Sequence, residues 1–356
     1  MTNLMIIIKF LERMLKVFYR RNVLIVLLVI SLCFGVLHIY VGIKLFRCCP
    51  VYNISCHYFD NNGVLPELGE GYKPQPRSIF FHETSCEGNL SSRQACAVES
   101  AARAHPDWDV HVLFNSPISE EALNEGCLKA LTTFKNVKLM KINIKKYSVG
   151  TPLEEFVHAG ALNNSKWTVE HTSDVLRYLT LYKWGGVYMD LDVVVVRSIA
   201  SLARNWVARE SDNCVASGIL AFSRDAVGRN IADATVRDIS SNFRGDLWYN
   251  NGPGVITRVL KDICSTTDAS AMSSATCNGF EVYGPQFFYP VHYQQSCMYF
   301  KAGNLNLHNA YVHHLSNYIT VKYKVQKGSP YAKLAKRYCP SIYRLYGENF
   351  GNELLT

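Results

Sequence analysis

The sequence lacks several features that mark specialised classes of protein. It has no internal repeat and no low-complexity tract, which excludes solenoid and collagen-like chains. Its 12 cysteines include no Cys-x-x-Cys pair, which disfavours zinc modules and thioredoxin-like redox sites. Half of the formal net charge of +8 lies in residues 9–21, so the rest of the chain is only mildly basic. A nucleic-acid partner is therefore not expected.

Long apolar runs are also scarce, and only one segment is long enough to cross a bilayer as a helix. It extends from Val23 to Ile43 without a formal charge. Five basic residues precede it, Lys44 and Arg47 follow it, and no small-residue cleavage site is evident. We therefore predict a single-pass type II signal-anchor protein, with residues 1–22 as cytoplasmic tail, 23–43 as transmembrane helix and the remainder lumenal.

Cysteine usage and glycosylation triplets agree with an oxidising compartment. Eight cysteines are spread through the chain after residue 77, which favours disulfides over zinc. Their connectivity cannot be read from the sequence, although a bond between Cys264 and Cys277 would close a polar loop. Asn-x-Ser triplets at Asn53, Asn89 and Asn163 are predicted glycosylation sites.

Apolar periodicity outlines the organisation of the lumenal part. Residues 44–76 are rich in Pro, Gly and Asn and are predicted to be a stem. Beyond them the pattern predicts strands at 77–85, 108–116 and 136–144, and helices at 91–106, 119–134, 151–164 and 168–184. Alternating strands and helices indicate an α/β fold whose mostly parallel sheet binds ligands at the carboxyl ends of its strands.

Two carboxylates interrupt the most apolar of the later segments. Asp190 and Asp192 lie within the run Val187 to Val196, which is typical of a buried strand. Alternation along one extended strand would put both acids on the same face, where they repel each other unless a divalent cation lies between them. A hard metal held by carboxylates and a substrate phosphate would supply that cation.

An Asp-x-Asp triplet by itself carries little information. The chain contains a second one, Asp107 and Asp109, which follows Pro106 and precedes a strand, where turn-forming acids are common. We therefore predict a structural role for that pair. Upstream of the first triplet, Asp174 and Arg177 share a helix face, and their spacing alone fits a surface ion pair equally well.

Several segments together resemble the α1,4-glycosyltransferase family. The residues that carry the resemblance are "SDVLRYLTLYKWGGVYMDLDVVVVRSI", "HETS", "ACAVESAARAHP", "NNGPGVITRVLKDIC" and "YVHHLSN…YAKLAKRYCP", which occur in the family's order between residues 78 and 346. The resemblance implies a GT-A-like nucleotide-diphosphate-sugar transferase fold, with a nucleotide-sugar-binding half at 77–200 and an acceptor-binding and C-terminal half at 201–356.

The resemblance also implies a set of site residues. Asp190 and Asp192 match the family's catalytic DxD motif, which binds Mn²⁺ or another divalent cation, and His314 falls at the position of a further metal ligand. His313 next to it is the alternative, because only one of the two can face the site. The donor-binding residues implied are His82, Glu83, Thr84, Asp174, Arg177, Tyr178, Gly185, Gly186 and Tyr188. The acceptor-binding residues implied are Trp248, Asn250, Asn251 and Gly252, for which a purely structural turn is the alternative.

The activity implied is retaining transfer of galactose or an N-acetylhexosamine from a UDP-sugar to a glycolipid in the Golgi membrane. Two features leave the sugar open: the donor is not fixed by the motifs, and Ala216 stands where glycolipid-modifying relatives carry Asn. Alternatives are a glycoprotein acceptor, an initiating mannosyltransferase that uses GDP-mannose, and an anchored sugar-binding protein without turnover. Assembly as a homo-oligomer or with other Golgi transferases is a further expectation. The aromatic run "FFYPVHY" is predicted to pack in the core.

Overall fold

The computed structural model of the protein describes residue 31 and residues 54–58, 63–69 and 71–353. The chain divides into Met1–Val51 and Tyr52–Thr356, and the fold described below belongs to the second unit. The predicted tail and transmembrane helix, apart from residue 31, and the Asn53 triplet lie outside the described residues. Within these described ranges, no helix is both long enough and apolar enough to span a membrane.

A seven-stranded sheet forms the centre of the fold, in the order β3-β2-β1-β4-β7-β6-β8. The strands β1 to β4 run parallel to one another, β7 is antiparallel to its neighbours β4 and β6, and β8 is parallel to β6. A separate two-stranded antiparallel sheet pairs β5 with β9. The strands are β1 (Ser78–Glu83), β2 (Asp109–Phe114), β3 (Val137–Lys141), β4 (Gly186–Met189), β5 (Val193–Val195), β6 (Trp206–Ser211), β7 (Cys214–Phe222), β8 (Glu281–Tyr283) and β9 (Val312–His314).

Helices cover both faces of this sheet. They are α1 (Ser92–Ala104), α2 (Glu120–Leu123), α3 (Gly126–Thr132), α4 (Ile144–Ser148), α5 (Glu154–His158), α6 (Thr168–Trp184), α7 (Ala226–Asn242), α8 (Pro253–Cys264), α9 (Asn317–Thr320), α10 (Pro330–Tyr338) and α11 (Pro340–Tyr346). Short 3₁₀ turns lie at Ser55–His57, Ala161–Asn164, Ala269–Ala271, Pro285–Phe287, Tyr293–Tyr299 and Gly347–Asn349. The predicted α/β fold with a mostly parallel central sheet is confirmed.

Alternation along the strands divides the core into two apolar layers. In β1, Ile79 and Phe81 join the layer beneath α1, whereas Phe80 joins the layer beneath α6. In β4, Met189 lies in the first layer and Tyr188 in the second. By the same alternation, the side chain of Asp190, the residue directly after β4, lies on the side of α6.

Several predicted elements are divided in the structure. The helix expected at 119–134 is two, α2 and α3, and the one expected at 151–164 ends at α5, because Gly160 adopts a left-handed φ of 72° before a 3₁₀ turn. The strand expected over 187–196 is also wrong as a single element. It is β4, a turn at residues 191–192, and β5, which belong to different sheets.

The boundary between stem and body also needs correction. Ile54, His57 and Leu68, all within the predicted stem of 44–76, are buried. The backbone N–H of Leu68 donates to the carbonyl of Lys141 at 3.0 Å, next to the edge strand β3. The described parts of 54–76 are therefore packed onto the body.

The predicted boundary between the two halves, at residues 200 and 201, falls between strands of one fold. The two predicted halves therefore share the central sheet.

Three disulfides lie within the described chain, and the bond between Cys264 and Cys277, the one pairing that the sequence suggested without fixing it, is among them. Cys56 is bonded to Cys86, which joins the start of the body to the loop after β1. Cys96 of α1 is bonded to Cys339, which fixes the C-terminal helices to the first helix. The aromatic run at 287–293 is packed only in part: Phe288 is fully buried and Tyr289 nearly so, whereas Tyr293 is 38% exposed.

Candidate active site

The two acids of the DxD motif lie at the carboxyl end of β4. The backbone N–H of Asp190 donates to the carbonyl of Gly218 at 2.8 Å, which continues the pairing of β4 with β7 for one more residue. The chain then turns, and the carbonyl of Asp192 accepts a hydrogen bond from Leu315 as β5 pairs with β9. This turn brings the two acids together. The prediction that alternation along a single strand places them on one face is therefore wrong.

The convergence brings one histidine to the two acids. The Nε2 atom of His314 lies 3.5 Å from Oδ2 of Asp190 and 3.3 Å from Oδ1 of Asp192. Ligand atoms of these three residues all lie within 4.8 Å of one another. His313, the sequence alternative, points elsewhere, with its Nδ1 atom 2.9 Å from the Tyr299 hydroxyl. The structure therefore brings His314 to the DxD pair.

The electrostatics of this cluster are those of a site that attracts a cation. Burial raises the pKa of Asp192, and the His314 charge offsets that shift only in part. Burial also acts to raise the pKa of Asp190, but the charge of Arg177 and the contacts with His314 hold it below its usual range. Burial lowers the pKa of His314, yet the adjacent carboxylates outweigh burial and raise it to about 9. The two carboxylates therefore favour a positive charge placed between them.

The residues present fit a divalent metal ion. The side chains of Asp190, Asp192 and His314 keep 24, 16 and 17% of their surface exposed, so the cluster is partly open to solvent. No hydrogen bond to the Oδ1 atom of Asp192 is found among the described residues, although this atom is buried. A Cβ atom on Gly218 would lie 2.8 Å from Oδ2 of Asp190 and 3.0 Å from Nε2 of His314, so a side chain there would fill the cluster. Two carboxylates and an imidazole form a donor set suited to Mn²⁺ or Mg²⁺.

A buried arginine positions the first of these acids. The Nη2 atom of Arg177 lies 3.1 Å from Oδ1 of Asp174 and 3.2 Å from Oδ1 of Asp190, and its Nη1 donates to the Ser217 carbonyl at 2.9 Å. The guanidinium also lies over the ring of Tyr188, 4.7 Å from its centroid. Arg177 is only 6% exposed, so the surface ion pair considered from spacing is wrong. The predicted contact of Arg177 with the donor stays a prediction.

The neighbours of Arg177 complete a polar network on α6. Burial raises the pKa of Asp174 to about 7, and the charge of Arg177 opposes that shift. The Tyr188 hydroxyl donates to Oδ1 of Asp190 at 2.6 Å, whereas the Tyr178 hydroxyl donates to the Gly252 carbonyl at 2.7 Å. Because Tyr178 is fully buried, its hydroxyl holds Gly252 against α6.

The carboxyl ends of β1 and β2 lie at the same edge of the sheet as Asp190 and carry unsatisfied polar groups. Burial raises the pKa of Glu83 to about 7, and no partner of its Oε2 atom is found in the described part of the chain. Both amide atoms of Asn115 and the Ser116 hydroxyl are likewise buried without a described partner. Asn115 and Ser116 were missed from the sequence, although their position directly after the second predicted strand was the available signal.

The other two predicted residues at the end of β1 are hydrogen-bonded to α6, although the Nδ1 atom of His82 is also buried without a described partner. The Nε2 atom of His82 lies 3.1 Å from Oγ1 of Thr180, and burial lowers the pKa of His82 to about 3. The Thr84 hydroxyl donates to the Val169 carbonyl at 3.0 Å. Both side chains fix β1 against α6, and their contact with a donor stays a prediction.

Gly185 and Gly186 do not lie near the metal cluster. Gly185 directly precedes β4 and Gly186 is its first residue, so both lie at the end of the strand opposite to Asp190, with φ angles of 62° and 96°. An added Cβ would come within 2.9 Å of the Phe222 carbonyl oxygen at Gly185 and within 2.7 Å of the Ser78 carbonyl oxygen at Gly186. The pair therefore allows a tight turn and close backbone packing, and its contact with the donor stays a prediction.

The segment predicted to bind the acceptor contains an exposed aromatic side chain and several polar groups that are hydrogen-bonded to the backbone. Trp248 is 36% exposed and stacks on Tyr318, with ring centroids 3.9 Å apart. In contrast, the Asn251 amide is buried and bonded to the backbone of Arg244, and the Asn250 amide donates to the Asn242 carbonyl. The two asparagines therefore stabilise a turn in this structure, which is the structural alternative considered from the sequence.

Gly252 allows two elements to approach closely. A Cβ atom at this position would lie 2.4 Å from Oδ1 of Asp174. The loop that carries Trp248 therefore comes close to the polar network of α6.

Two further residues near the cluster were missed from the sequence. Ser217 accepts from Arg177, and Tyr289 lies with its ring centroid 5.3 Å from that of His314.

The remaining sequence predictions concern surface positions. Asp107 is exposed and Asp109 begins β2, at the end of the sheet opposite to the metal cluster, so neither acid of the second triplet belongs to the site. Asn89 and Asn163 are exposed and accessible to modification, and their glycosylation stays a prediction.

Comparisons with known families match two adjoining parts of the chain. Residues 91–212 match the model described as "Glycosyltransferase sugar-binding region containing DXD motif". Residues 225–346 match the model described as "Alpha 1,4-glycosyltransferase conserved region". The first match contains Asp190 and Asp192, and the second contains Trp248 and His314.

Curated relatives cover most of the chain. Lactosylceramide 4-alpha-galactosyltransferase from Rattus norvegicus is 30% identical over 288 residues, which are 78% of this chain and 78% of the relative. Alpha-1,4-N-acetylglucosaminyltransferase from Homo sapiens is 27% identical over 281 residues, 75% of this chain and 80% of the relative. Among solved structures, galactosyltransferase LgtC with donor and acceptor sugar analogs is similar with a TM-score of 0.40 and 15% identity, covering 75% of this chain and 95% of that one.

We expect Arg177→Gln to destabilise the fold strongly. It removes the cation between two buried carboxylates, for which losses of about 3–5 kcal/mol in the free energy of unfolding are typical. The matched control is Arg237→Gln, which breaks an exposed pair with Asp233 on α7 and should cost less than about 1 kcal/mol. Urea unfolding monitored by circular dichroism measures both. Equal losses in the two variants would contradict the role given to Arg177.

We expect His314→Ala to weaken binding of Mn²⁺ by about tenfold or more, because it removes an imidazole from the cluster. His313→Ala should leave the affinity unchanged, since its side chain contacts Tyr299 and not the acids. Calorimetric titration of the purified full-length chain with MnCl₂ measures both affinities. A larger loss in His313→Ala would reassign the ligand.

Proposed function

The chain belongs to the α1,4-glycosyltransferase family and is a glycosyltransferase, and from this premise we propose its substrates. The donor is a UDP-sugar, either UDP-galactose or a UDP-N-acetylhexosamine, and the acceptor is the terminal sugar of a glycosphingolipid. The reaction proceeds with retention at the anomeric carbon and depends on Mn²⁺ or another divalent cation. The enzyme works in the Golgi membrane as a type II protein with its catalytic domain in the lumen.

The observation that carries this proposal is the convergence of Asp190, Asp192 and His314 where β4 ends. Two carboxylates and an imidazole at one point favour a divalent cation. When bound, such an ion supplies Lewis-acid stabilisation of the negative charge that develops on a departing diphosphate. Arg177 holds Asp190 in place, since its guanidinium lies 3.2 Å from the carboxylate.

The edge formed by β1 and β2 supports a nucleotide as the body of the donor. Glu83, Asn115 and Ser116 keep buried donors and acceptors without a described partner. Buried polar groups of this kind are expected to be satisfied by a ligand or by water. Because they lie at the same sheet edge as the metal cluster, a diphosphate at the metal would direct its nucleoside toward them.

Two observations support a glycolipid acceptor. The rat relative is named for lactosylceramide. The human relative is named for transfer of N-acetylglucosamine, so galactose and N-acetylglucosamine both stay in the proposal as donor sugars. The exposed stack of Trp248 on Tyr318 offers an aromatic surface to a sugar ring. The backbone N–H of Asn317, next to Tyr318, donates to Oδ2 of Asp192 at 2.6 Å, so this surface adjoins the metal cluster.

The proposed mechanism is front-face attack, in which the acceptor hydroxyl approaches the anomeric carbon from the side of the leaving diphosphate. The acceptor oxygen forms the new bond as the bond to the phosphate oxygen breaks, and that oxygen takes the hydroxyl proton. Protein residues contribute position and exclusion of water. A glycosyl adduct trapped on any Asp or Glu of this chain would refute the mechanism.

A screen of the full-length chain tests the function directly. UDP-galactose, UDP-N-acetylglucosamine, UDP-N-acetylgalactosamine and GDP-mannose would each be combined with lactosylceramide and with a glycoprotein acceptor, with and without Mn²⁺. We expect an α1,4-linked product from one UDP-sugar and the glycolipid only when Mn²⁺ is present. Transfer from GDP-mannose alone, or only to the glycoprotein, would replace the proposed substrates.

We expect Asp192→Asn to reduce Mn²⁺-dependent transfer by about 10²–10³-fold, the range typical for loss of one electrostatic group in an active site. The thermal midpoint should stay nearly constant, because an amide oxygen still accepts from Asn317 and repulsion between the two acids disappears. Asp109→Asn, in the second triplet, should leave turnover unchanged. Wild-type activity in Asp192→Asn would overturn the metal site.

We expect Asn115→Ala to raise KM for the UDP-sugar by about three- to tenfold with little change in kcat, because it removes hydrogen bonds made equally in the ground and transition states. Steady-state kinetics with varied donor measures the effect. Asn124→Ala, at an exposed position in the loop after α2, is the control. An unchanged KM would remove Asn115 from the donor site.

A further inference from the structure

A second polar cavity lies behind the metal cluster. It has a volume of about 370 Å³ and is lined by the end of β5, by β9, by residues 304–308 and by α10. His313 lines this cavity, whereas His314, the next residue of β9, faces the two acids. Since successive residues of a strand point to opposite faces, the cavity lies across the β5 and β9 sheet from the candidate active site.

The lining of this basic cavity has charge of one sign only. Arg197, Lys333 and Arg337 contribute fixed positive charges, and no carboxylate lines it. Lys333 and Arg337 are four residues apart on α10 and so lie on the same face. The helix lines the cavity along its whole length, from its first residue, Pro330, to its last, Tyr338.

None of the three cations is neutralised within the described chain. Arg197 donates to the carbonyl of His308 at 2.8 Å, and Lys333 donates to the Gly303 carbonyl and the Asn304 amide oxygen, all neutral acceptors. The Arg337 guanidinium lies 5.2 Å from the centroid of the Tyr338 ring. Elsewhere in the described chain, Arg209, Arg237 and Arg244 are each paired with an acid.

The floor of the cavity supplies a further polar group. His313 is 5% exposed, and its Nδ1 atom is engaged by the Tyr299 hydroxyl at 2.9 Å. Among the described residues nothing bonds to its Nε2 atom, which leaves that nitrogen available to a bound molecule. Fixed cations around a concave wall with a hydrogen-bonding floor are the features of a ligand site, and the volume lies in the range of small-molecule pockets.

We propose that the basic cavity binds a phosphate ester of about monosaccharide size. Planar guanidinium groups pair bidentately with phosphate oxygens, and an ammonium group adds a third contact. The phosphate comes either from a lipid headgroup or from a soluble sugar phosphate, since both present the same oxygens. The site is separate from the metal cluster and does not depend on the proposed transferase function.

Calorimetric titration of the full-length chain in a neutral detergent tests this proposal. EDTA keeps divalent ions away from the acidic cluster. The probes are glucose 1-phosphate, with glucose as its uncharged control, and dioctanoyl phosphatidic acid, with dioctanoyl phosphatidylcholine as its zwitterionic control. We expect binding of at least one phosphate monoester and not of its control. Tighter binding of the lipid assigns a headgroup, and equal or tighter binding of the sugar phosphate assigns a soluble ligand.

Three single variants separate this cavity from general surface charge. Arg337→Gln and Arg197→Gln, on different elements, should each weaken binding of the phosphate probe by about tenfold, because each removes a charge-assisted contact. Lys336→Gln, on the same helix but outside the lining, should leave the affinity unchanged. Absence of binding to both monoesters, or equal weakening in all three variants, would overturn the proposal. Thermal melting of each variant verifies that it is folded.

Discussion

The buried guanidinium of Arg177 is the interaction on which the rest of the site depends. Two carboxylates, Asp174 from the same helix and Asp190 from the end of β4, lie within 3.2 Å of its nitrogen atoms. Burying either acid without this cation would cost several kcal/mol. The guanidinium thereby joins α6 to β4 and keeps one oxygen of Asp190 engaged, which leaves its other oxygen for His314 and for a metal. Stability and metal-site geometry are consequently linked through one side chain.

The second constraint is the change of sheet after Asp190. The chain leaves the central sheet at a turn and pairs with β9 in a separate two-stranded sheet. That exchange brings His314, which is 122 residues beyond Asp192 in the sequence, beside both acids. It also places His313 on the opposite face, in the basic cavity. The β5 and β9 sheet therefore lies between an acidic cluster suited to a cation and a basic cavity suited to an anion.

Much of the fold could be predicted from periodicity, because apolar residues cluster in β1, β2 and β3 and recur at helical spacing in α1 and α6. The division of the run at 187–196 could not, because all of its residues except two are apolar and only long-range pairing with β7 and β9 breaks it. At the site, residue types identified Asp190 and Asp192, and the family resemblance supplied His314. Spacing alone fitted a surface ion pair for Arg177 equally well, and the family resemblance implied donor contacts at Gly185 and Gly186. Only tertiary packing reveals that the arginine is buried and that the glycines lie at the far end of β4.

We propose that Asp190, Asp192 and His314 together hold one divalent ion beside a nucleotide diphosphate. A crystal structure of the chain grown with MnCl₂ and UDP, with data collected at the manganese absorption edge, would locate the ion. We expect a single anomalous peak within coordinating distance of all three side chains, with Arg177 still bonded to Asp190. A manganese peak at another position, or a UDP molecule bound with no metal at these residues, would contradict it.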